Sequence, residues 1–385
     1  MRPLLAARCL AAAAAVCLLR AAAAPAAGGS TRGHGEACPL EADDACSAEG
    51  SIYFIHSSGE RGVPPPVARC AIESAARQNP EKTVWVLSDG WSLAALHGKF
   101  PNVKHRPLEP ERTLSVHSGL LEWFSAGEWR AGHRFHHLSD SMRLALVLGC
   151  GGTYLDTDFI SVAPIPAMEP GAFTLGFEDA IDGTEDRTMC NAVLSTPRPG
   201  HPFARALVDE FVQTFDAAAN FGWNGPQLLG RAWRDNEQIR ESVVRAPPAR
   251  FYPLPWFHTA KLFDHGPAEL EKLLRRGPGE AVGVHLWQSQ VRAQLKFIGS
   301  DYAESTLVGS LFSRACPDTW KWLSVPAQSR LSKSQARIRI IQPGSGRQFS
   351  SVELQRSKAH RVKGGQPGGE DQVQREEEAG GLIQA

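Results

Sequence analysis

The 385-residue sequence lacks three features that would point to particular kinds of site: an Asn-x-Ser/Thr sequon, a Cys-x-x-Cys pair and an apolar run longer than that of Cys9 to Leu19. Without a sequon, N-glycosylation gives no support to a lumenal protein. Without closely spaced cysteines, a structural zinc site is not expected. Since a membrane-spanning helix needs about 20 apolar residues, no membrane span is predicted after the N-terminal segment.

The sequence also lacks an excess of charge, because 41 Lys and Arg residues balance 41 Asp and Glu residues. A neutral chain has no long-range attraction for polyanions, so neither nucleic acid nor anionic membranes in general are predicted as partners. Local basic clusters can still bind a phosphate. Hydrophobic residues make up 42% of the chain, which is enough for a sizeable core in one large domain or two ordinary ones.

Residues 1–24 form a targeting segment that is set apart from the fold. Arg2 and Arg8 precede the apolar run from Cys9 to Leu19, and small residues follow at 21–27. This run is short for a membrane span, so the composition fits a cleavable signal peptide and equally an uncleaved signal-anchor. Both alternatives direct the chain into the secretory pathway.

Cysteines beyond the targeting segment are even in number, which in a secretory protein predicts disulfides. Their spacing selects no particular pairing. They are Cys38, Cys46, Cys70, Cys150, Cys190 and Cys316.

Composition divides the rest of the chain into three parts. Residues 25–50 are rich in glycine, alanine and acidic residues, which predicts a stem or linker. Residues 51–325 alternate short apolar runs with helical patterns and are predicted to form a single folded domain. Residues 326–385 are predicted to be a disordered tail, because their polar composition buries too little apolar surface to offset the chain entropy.

The order of elements in residues 51–325 is that of an α/β fold. Apolar runs predict strands at 52–55 and 83–87, and helical spacing predicts a helix at 67–78 between them. Such a βαβ unit implies a parallel sheet covered by helices on both faces. Further strands that extend this sheet are predicted at 173–177 and 282–286, and further helices at 202–215 and 226–234.

The most informative segment is residues 137–162, HLSDSMRLALVLGCGGTYLDTDFISV. Ser139 or Asp140 is predicted to cap a helix, because a short side-chain oxygen satisfies the free N–H groups of the first turn. Gly151-Gly152 is predicted to end that helix, since glycine adopts a positive φ readily. Residues 153–155 are then predicted to enter the sheet as a strand.

Asp156 and Asp158 follow at the carboxyl end of that strand, which is the ligand-binding edge of a parallel sheet. On an extended backbone, residues two apart point to the same side, so the two carboxylates are expected to lie together. Hard oxygen ligands suit Mg²⁺ or Mn²⁺, which would neutralise their repulsion and leave positions for phosphate oxygens. An isolated Asp-x-Asp is usually a solvated turn, but the helix, Gly-Gly turn and strand before this one indicate a site. Asp156 and Asp158 are therefore predicted to clamp a diphosphate through a metal that stabilises a departing nucleoside diphosphate.

These residues and others spread over 51–317 resemble the α-1,4-glycosyltransferase family, whose members are lactosylceramide 4-alpha-galactosyltransferase-like and α-1,4-N-acetylglucosaminyltransferase-like. Some of the matching motifs are weak alone, but their order and spacing are together specific. They are IYF at 52–54, CAIESAAR at 70–77, FPNV at 100–103, Ser139-Asp140 with Arg143, GGTYLDTDF at 151–159, NAVL at 191–194, WNGPQLL at 223–229, FYPLPW at 251–256 and VHLW at 284–287.

The resemblance implies a GT-A fold, which is a Rossmann-like mixed, mainly parallel sheet flanked by helices, in a single catalytic domain at 51–325. It implies a retaining hexosyltransferase that uses a UDP-sugar donor and Mn²⁺ (or Mg²⁺). Galactose or an N-acetylhexosamine would be transferred in α-1,4 linkage to a lactosylceramide-like glycolipid or another glycan acceptor. The chain would be a type II protein of the Golgi membrane with a lumenal catalytic domain, anchored through residues 1–24; cleavage of that segment would release a secreted form.

Individual residues receive expected roles from this resemblance and from their positions. His285, at the end of a late strand, is expected to be the third metal ligand; the alternative is a core histidine bound to a carbonyl group. Asp140 and Arg143 lie one helical turn apart and either hold the donor's hexose hydroxyls and diphosphate or form a structural ion pair. Gln227 is the catalytic candidate for the face of the sugar opposite the leaving group. The other donor-binding candidates are Tyr53, which alternatively only packs, Gly152 and Asn191.

The sequence departs from the family pattern at two places near these residues. Gln288 stands where an asparagine is expected after His-x-Trp, and Cys190 stands where a polar or small residue usually precedes Asn191.

Two other functions were weighed against transfer. A non-catalytic lumenal relative that binds a glycan or nucleotide sugar is the alternative, and it predicts the loss of a metal carboxylate, whereas both are present. A metal-dependent phosphohydrolase predicts a nucleophilic Asp on the first strand, and residues 52–57 contain none.

Overall fold

The computed structural model describes Cys38, Leu40 and residues 50–178, 188–275, 281–295, 298 and 305–324. The predicted targeting segment, all but three residues of the predicted stem and the predicted tail lie outside these residues. In the part of the chain that is described, no helix combines the length and the apolar character needed to cross a membrane.

A seven-stranded mixed sheet is the centre of the fold, with strand order β3-β2-β1-β4-β7-β6-β8. β7 runs antiparallel to both of its neighbours, β4 and β6, and the other neighbouring pairs are parallel. The strands are β1 (Ser51–His56), β2 (Thr83–Ser88), β3 (Val103–Arg106), β4 (Gly152–Leu155), β6 (Phe173–Phe177), β7 (Met189–Thr196) and β8 (Val243–Ala246).

Two further strands, β5 (Phe159–Ser161) and β9 (Gly283–His285), form a separate antiparallel ribbon. The strand predicted at 282–286 is therefore present, but the prediction that it extends the main sheet was wrong. An apolar run identifies an extended segment, whereas its pairing partner depends on contacts distant in sequence.

Helices cover both faces of the sheet. The longer ones are α1 (Pro66–Gln78), α4 (Ser118–Ala126), α5 (Arg134–Cys150), α6 (Pro202–Thr214), α7 (Pro226–Asp235), α10 (Pro267–Leu274), α11 (Gln288–Leu295), α12 (Leu307–Ala315) and α13 (Pro317–Leu323). Four short helices also lie in the described residues: α2 (Ala94–His97), α3 (Pro110–Leu114), α8 (Pro248–Phe251) and α9 (Lys261–Asp264).

Alternation along β1 shows how the sheet separates two apolar cores. Ile52 and Phe54 belong to one core, which α1 and α12 cover, whereas Tyr53 and Ile55 belong to the other, which α5, α6 and α7 cover. Since successive strand residues point to opposite faces, a strand buried on both sides is apolar throughout. The prediction of a GT-A fold, with a mixed, mainly parallel sheet flanked by helices, is confirmed.

The helix before the Asp-x-Asp segment begins earlier than predicted. α5 starts at Arg134, so Ser139 and Asp140 lie inside it and the prediction that either one caps it was wrong. Both side chains instead contact the Arg143 guanidinium, which lies 3.0 Å from Ser139 Oγ and 3.2 Å from Asp140 Oδ1. The predicted end of the helix is confirmed, because Gly151 and Gly152 have φ values of +69° and +83°.

Two disulfides tie distant segments together. Cys38 bonds to Cys150 at the end of α5, and Cys70 in α1 bonds to Cys316 between α12 and α13. Cys190 is a buried free thiol, and Cys46 lies outside the described residues. The predicted use of cysteines in disulfides is thus confirmed for two pairs.

Candidate active site

The Asp-x-Asp segment is a turn, not a continuation of the strand. The Asp156 N–H donates to the Ala192 carbonyl at 2.9 Å, and the Phe159 N–H donates back to the Asp156 carbonyl at 3.0 Å. The extended backbone that we expected to align the two carboxylates is absent. This turn, anchored to β7 on one side and leading into β5 on the other, brings them together instead.

His285 reaches this turn through the ribbon of β5 and β9, where it lies opposite Phe159. Its Nε2 is 3.0 Å from Asp158 Oδ1 and 3.9 Å from Asp156 Oδ2. Each of the three side chains offers one ligand atom, and these atoms all lie within 4.8 Å of one another. Two carboxylates and an imidazole are a donor set that suits Mn²⁺ or Mg²⁺, so the residues present fit a divalent cation.

Electrostatics couple Asp158 to His285. Burial alone would raise the pKa of Asp158, but the charge and hydrogen bond of His285 outweigh it and hold that pKa below its usual range. Burial would likewise lower the pKa of His285, and Asp158 reverses this and raises it. Each member of the pair thus favours the charged form of the other.

Backbone N–H groups fix Asp158 as well. The Gln288 N–H donates to Asp158 Oδ2 at 2.7 Å, and the Leu286 N–H donates to the Asp158 carbonyl at 3.0 Å. Trp287, between them, has φ of +53°, a left-handed conformation that costs a non-glycine residue roughly 1–2 kcal/mol. Its indole N–H donates to the Leu254 carbonyl at 2.8 Å, which helps to hold the strained turn. Because Gln288 contributes its backbone, its departure from the expected asparagine leaves this contact intact.

Arg143 is the hub of a buried network beside Asp156. Its guanidinium lies 2.9 Å from Asp156 Oδ1 and 3.2 Å from Asp140 Oδ1, and it donates to the Asn191 carbonyl at 2.9 Å. Only 5% of Arg143 is exposed. Asp140 and Arg143 form the ion pair that was one of their two alternatives; donor binding by these residues stays a prediction.

The same network changes the ionisation of Asp140. Burial raises its pKa to about 7, an effect that Arg143 opposes and the Asp156 charge reinforces. Asn191 donates from Nδ2 to Asp140 Oδ1 at 2.9 Å. Burial would lower the pKa of Arg143, but the surrounding acidic groups, Asp156 first, raise it, so this side chain stays charged.

Tyr154 is a site residue that the sequence did not reveal, because in an apolar strand it resembles a core residue. Its hydroxyl donates to Asp156 Oδ1 at 2.6 Å, and the Arg143 guanidinium lies 4.6 Å above its ring. A hydroxyl two residues before Asp156 is the only signal that could have indicated this contact.

The remaining predicted residues are Tyr53, Gly152 and Gln227. Tyr53 is buried, opposite Tyr154 in the β1–β4 register. Gly152 is buried at the start of β4, where its positive φ admits the turn. Gln227 is exposed and donates from Nε2 to Asn220 Oδ1 at 3.1 Å.

Cys190, the second residue that departs from the family pattern, faces buried polar groups that the sequence did not indicate. Its thiol is hydrogen-bonded to Glu178 and to the Tyr252 hydroxyl. Burial raises the pKa of Cys190, and the Glu178 charge raises it further, so the thiol is protonated.

Comparison with known proteins matches two family descriptions to this chain. The "Glycosyltransferase sugar-binding region containing DXD motif" covers residues 65–175, which include Asp156 and Asp158. The "Alpha 1,4-glycosyltransferase conserved region" covers residues 197–323, which include His285.

Curated relatives with two different names match this chain. Lactosylceramide 4-alpha-galactosyltransferase from Mus musculus is 31% identical over 74% of this chain and 79% of its own length, and the Homo sapiens protein of that name is 32% identical over 70% and 76%. Alpha-1,4-N-acetylglucosaminyltransferase from Homo sapiens is 27% identical over 70% and 79%. Among solved structures, the PaToxG Glycosyltransferase is 14% identical with a TM-score of 0.40, covering 69% of this chain and 86% of that chain, a likeness too distant to add to the assignment. By its relatives and its family matches, the chain belongs to the α-1,4-glycosyltransferase family of hexosyltransferase enzymes.

Proposed function

We propose that this protein is a retaining glycosyltransferase that moves a hexose from a UDP-sugar to a glycan in α-1,4 linkage, with Mn²⁺ (or Mg²⁺) as cofactor. The observation that carries the proposal is the grouping of Asp156, Asp158 and His285 within 4.8 Å in a member of this family. These three residues would hold the cation. When bound, it supplies a Lewis acid that stabilises the negative charge on the departing UDP.

The other residues of the site position these ligands and the donor. Tyr154 and Arg143 hold Asp156 through its Oδ1, and the Gln288 N–H holds Asp158. Asp140 and Asn191 fix Arg143, and these three residues remain the proposed contacts to the donor's hexose hydroxyls and diphosphate. Contacts behind metal ligands, such as those of Tyr154 and Arg143 to Asp156, commonly change metal affinity by about 10-fold to 100-fold.

The donor's sugar is assigned to the side of the site that faces α7. Gln227 would contact the hexose opposite its leaving group, where no carboxylate has been assigned as a nucleophile, so displacement would occur on the same face without a covalent intermediate. Gly152 and Tyr53 would shape the floor below the nucleotide.

Donor and acceptor are proposed from the names of the relatives. Galactose transfer to a lactosylceramide-like glycolipid is favoured by the more similar of the relatives reported above, and N-acetylglucosamine transfer by the other. Residence in the Golgi membrane as a type II protein is proposed from the family and from the composition of residues 1–24.

The test is UDP release by the purified full-length chain. UDP-Gal, UDP-GalNAc and UDP-GlcNAc are supplied in turn, with lactosyl or N-acetyllactosaminyl acceptors and with Mn²⁺ or EDTA. We expect acceptor-stimulated release from one donor, abolished by EDTA, and an α-anomeric product by NMR.

Asp158→Asn is the matched test of the metal site. We expect it to lose metal-dependent release at least 100-fold by removing one ligand charge, since a ligand change is at least as severe as a second-sphere change. Asp264→Asn, at an exposed position away from the site, should match the unaltered chain. Donor binding without release from any donor would support the binding-protein alternative, and an unchanged Mn²⁺ requirement in Asp158→Asn would sink the metal assignment.

A further inference from the structure

An open cavity of about 840 Å³ lies between α7 and the ends of β6, β7 and β8. Its walls include three aromatic rings and three arginines, and none of the described residues that line it is acidic. The aromatic residues are Phe177, Trp223 and Trp233, and the arginines are Arg231, Arg234 and Arg245.

The cavity adjoins the candidate active site but is distinct from it. None of the three candidate metal ligands lines it, whereas Gln227 does. Gly225, two residues before Gln227, packs so closely on the site that an added Cβ would lie 2.8 Å from Asn191 Nδ2. On β7, Met189 lines the cavity and Asn191 joins the Asp140 network. A molecule in this cavity would therefore lie beside the donor, where an acceptor belongs.

One arginine of the wall is neutralised by the protein. Arg231 Nε lies 2.6 Å from Glu210 Oε1, and its guanidinium stacks 3.9 Å from the Trp223 ring centroid. This arginine also donates to the Trp223 carbonyl at 3.0 Å. Its contacts give the wall a rigid aromatic surface.

The other two arginines of the wall differ from Arg231. In the described part of the chain, neither Arg234 nor Arg245 forms an ion pair, and both are exposed. Two rings hold the Arg245 guanidinium, which lies 4.8 Å from the Trp233 centroid and 5.4 Å from the Phe177 centroid. Arg234 and Arg245 therefore make this part of the cavity wall basic.

We infer that this cavity binds the acceptor, and that the acceptor is an anionic glycan bearing a carboxylate or sulfate group. The inference rests on the proposed transferase function and names its substrate class. Tryptophan rings offer flat apolar surfaces for the C–H faces of sugars, in a pocket with few polar groups. Guanidinium groups bind carboxylates and similar anions through paired N–H donors, and stacking keeps Arg245 ready to do so.

The experiment compares lactose with 3′-sulfolactose and 3′-sialyllactose, which add one anionic group each. Their Kd values for the purified full-length chain are measured by calorimetry, and their KM and kcat by UDP release. We expect both anionic acceptors to bind about 10-fold or more tightly than lactose, as a charge-assisted hydrogen bond predicts. The preference should shrink as the salt concentration rises.

Arg245→Gln should abolish this preference, so that the anionic acceptors bind no more tightly than lactose does to the same variant. Arg245→Lys should restore part of it, because the charge returns without the planar donor pair. Arg275→Gln, an equal change of charge at an exposed residue of α10's end, is the control and should keep the full preference.

Equal Kd values for lactose and both anionic acceptors would overturn the inference, as would equal losses in Arg245→Gln and Arg275→Gln. Failure of the transferase proposal gives a different result, because UDP release from the donor would then be absent while acceptor binding is still measured. A chain that releases UDP and prefers lactose keeps the transferase and loses the anionic acceptor.

Discussion

The Tyr154 hydroxyl donates to Asp156 Oδ1 at 2.6 Å, so a strand residue two positions earlier holds a candidate metal ligand in place. The same oxygen lies 2.9 Å from Arg143, which leaves Oδ2 as the atom on the His285 side. Oδ1 of Asp156 is thus held by protein contacts, whereas Oδ2 is the atom that would bind a cation. Its side chain remains 23% exposed, which keeps the binding side open to a donor.

Tyr154→Phe removes this hydroxyl and nothing else. We expect the Mn²⁺ concentration for half-maximal UDP release to rise about 10-fold, because contacts behind metal ligands typically contribute that much to affinity. Manganese titration of the activity measures this.

Tyr252→Phe is the control for that experiment. It also removes a buried hydroxyl, but this one accepts from the Val193 N–H at 3.1 Å and bonds to the Cys190 thiol. The Tyr252 ring, which lies 5.9 Å from the His285 ring, is kept in this variant. The manganese dependence should stay at its original value in Tyr252→Phe. An equal shift in both variants would mean that Tyr154 acts only through packing.

Arg143→Lys tests the buried network. A lysine retains the charge but not the fork of donors that reaches Asp156, Asp140 and the Asn191 carbonyl, so buried acceptors are left unsatisfied. We expect the free energy of unfolding to fall by about 3 kcal/mol, the lower end for a broken buried pair. Urea denaturation measures it, with Arg77→Lys as the comparison, since its partner Asp318 is 3.7 Å away and its side chain is 41% exposed. Similar losses in the two variants would refute the network's contribution.

Local patterns predicted much of the fold. The strands β1, β2 and β4 and the helices α1, α6 and α7 were predicted within a few residues, because each has an apolar period or run and a clear end. Gly151 and Gly152 marked the end of α5 for a physical reason, since both adopt positive φ. The start of α5 was missed because Ser139 and Asp140 are capping residues by type, and only tertiary contacts show that they turn inward.

The sequence predicted which residues form the candidate metal site but not how the backbone brings them together. Asp156, Asp158 and His285 were named from the sequence, and the structure brings them together, although by a turn and a ribbon. The Gln288 N–H contact to Asp158 spans 130 residues and uses a backbone group that every residue except proline carries. No side-chain pattern can reveal such a contact. The role of Tyr154 was hidden in the same way, by its apolar strand.

The raised pKa of Asp140 predicts a pH-dependent stability. Its pKa is about 7 in the folded protein against an ordinary 3.8, so between these values the folded state holds a proton that the unfolded state has lost. The contribution of Asp140 to the free energy of unfolding is therefore fully present below pH 4. It is lost as the pH rises through 7, with a slope of up to about 1.4 kcal/mol per pH unit. The groups that face it are Arg143, Asp156 and Asn191.

Comparison with Asp140→Asn isolates this contribution. Urea denaturation from pH 4 to 8 gives the free energy of unfolding for both proteins, and their difference should change in favour of the variant as the pH rises. Asp264→Asn, at an exposed site, should keep the original profile. A constant difference between Asp140→Asn and the unaltered chain would show that Asp140 has an ordinary pKa.

Glu73 joins the first helix to the last described one, and its removal should affect stability without affecting catalysis. From α1, its carboxylate accepts from the Asp318 N–H at 2.8 Å and from the Thr319 N–H and hydroxyl, both at 2.7 Å, so it serves as the missing cap of α13. The Cys70–Cys316 disulfide links the same two segments.

Glu73→Gln keeps the shape of the side chain but loses the negative charge that favours the positive end of a helix, so we expect a loss of about 1–2 kcal/mol in the free energy of unfolding. Chemical denaturation of the oxidised chain measures this, with the exposed Glu109→Gln as the control and UDP release unchanged in both. If Glu73→Gln instead lowered UDP release while stability stayed the same, the helix junction would have to be coupled to the site.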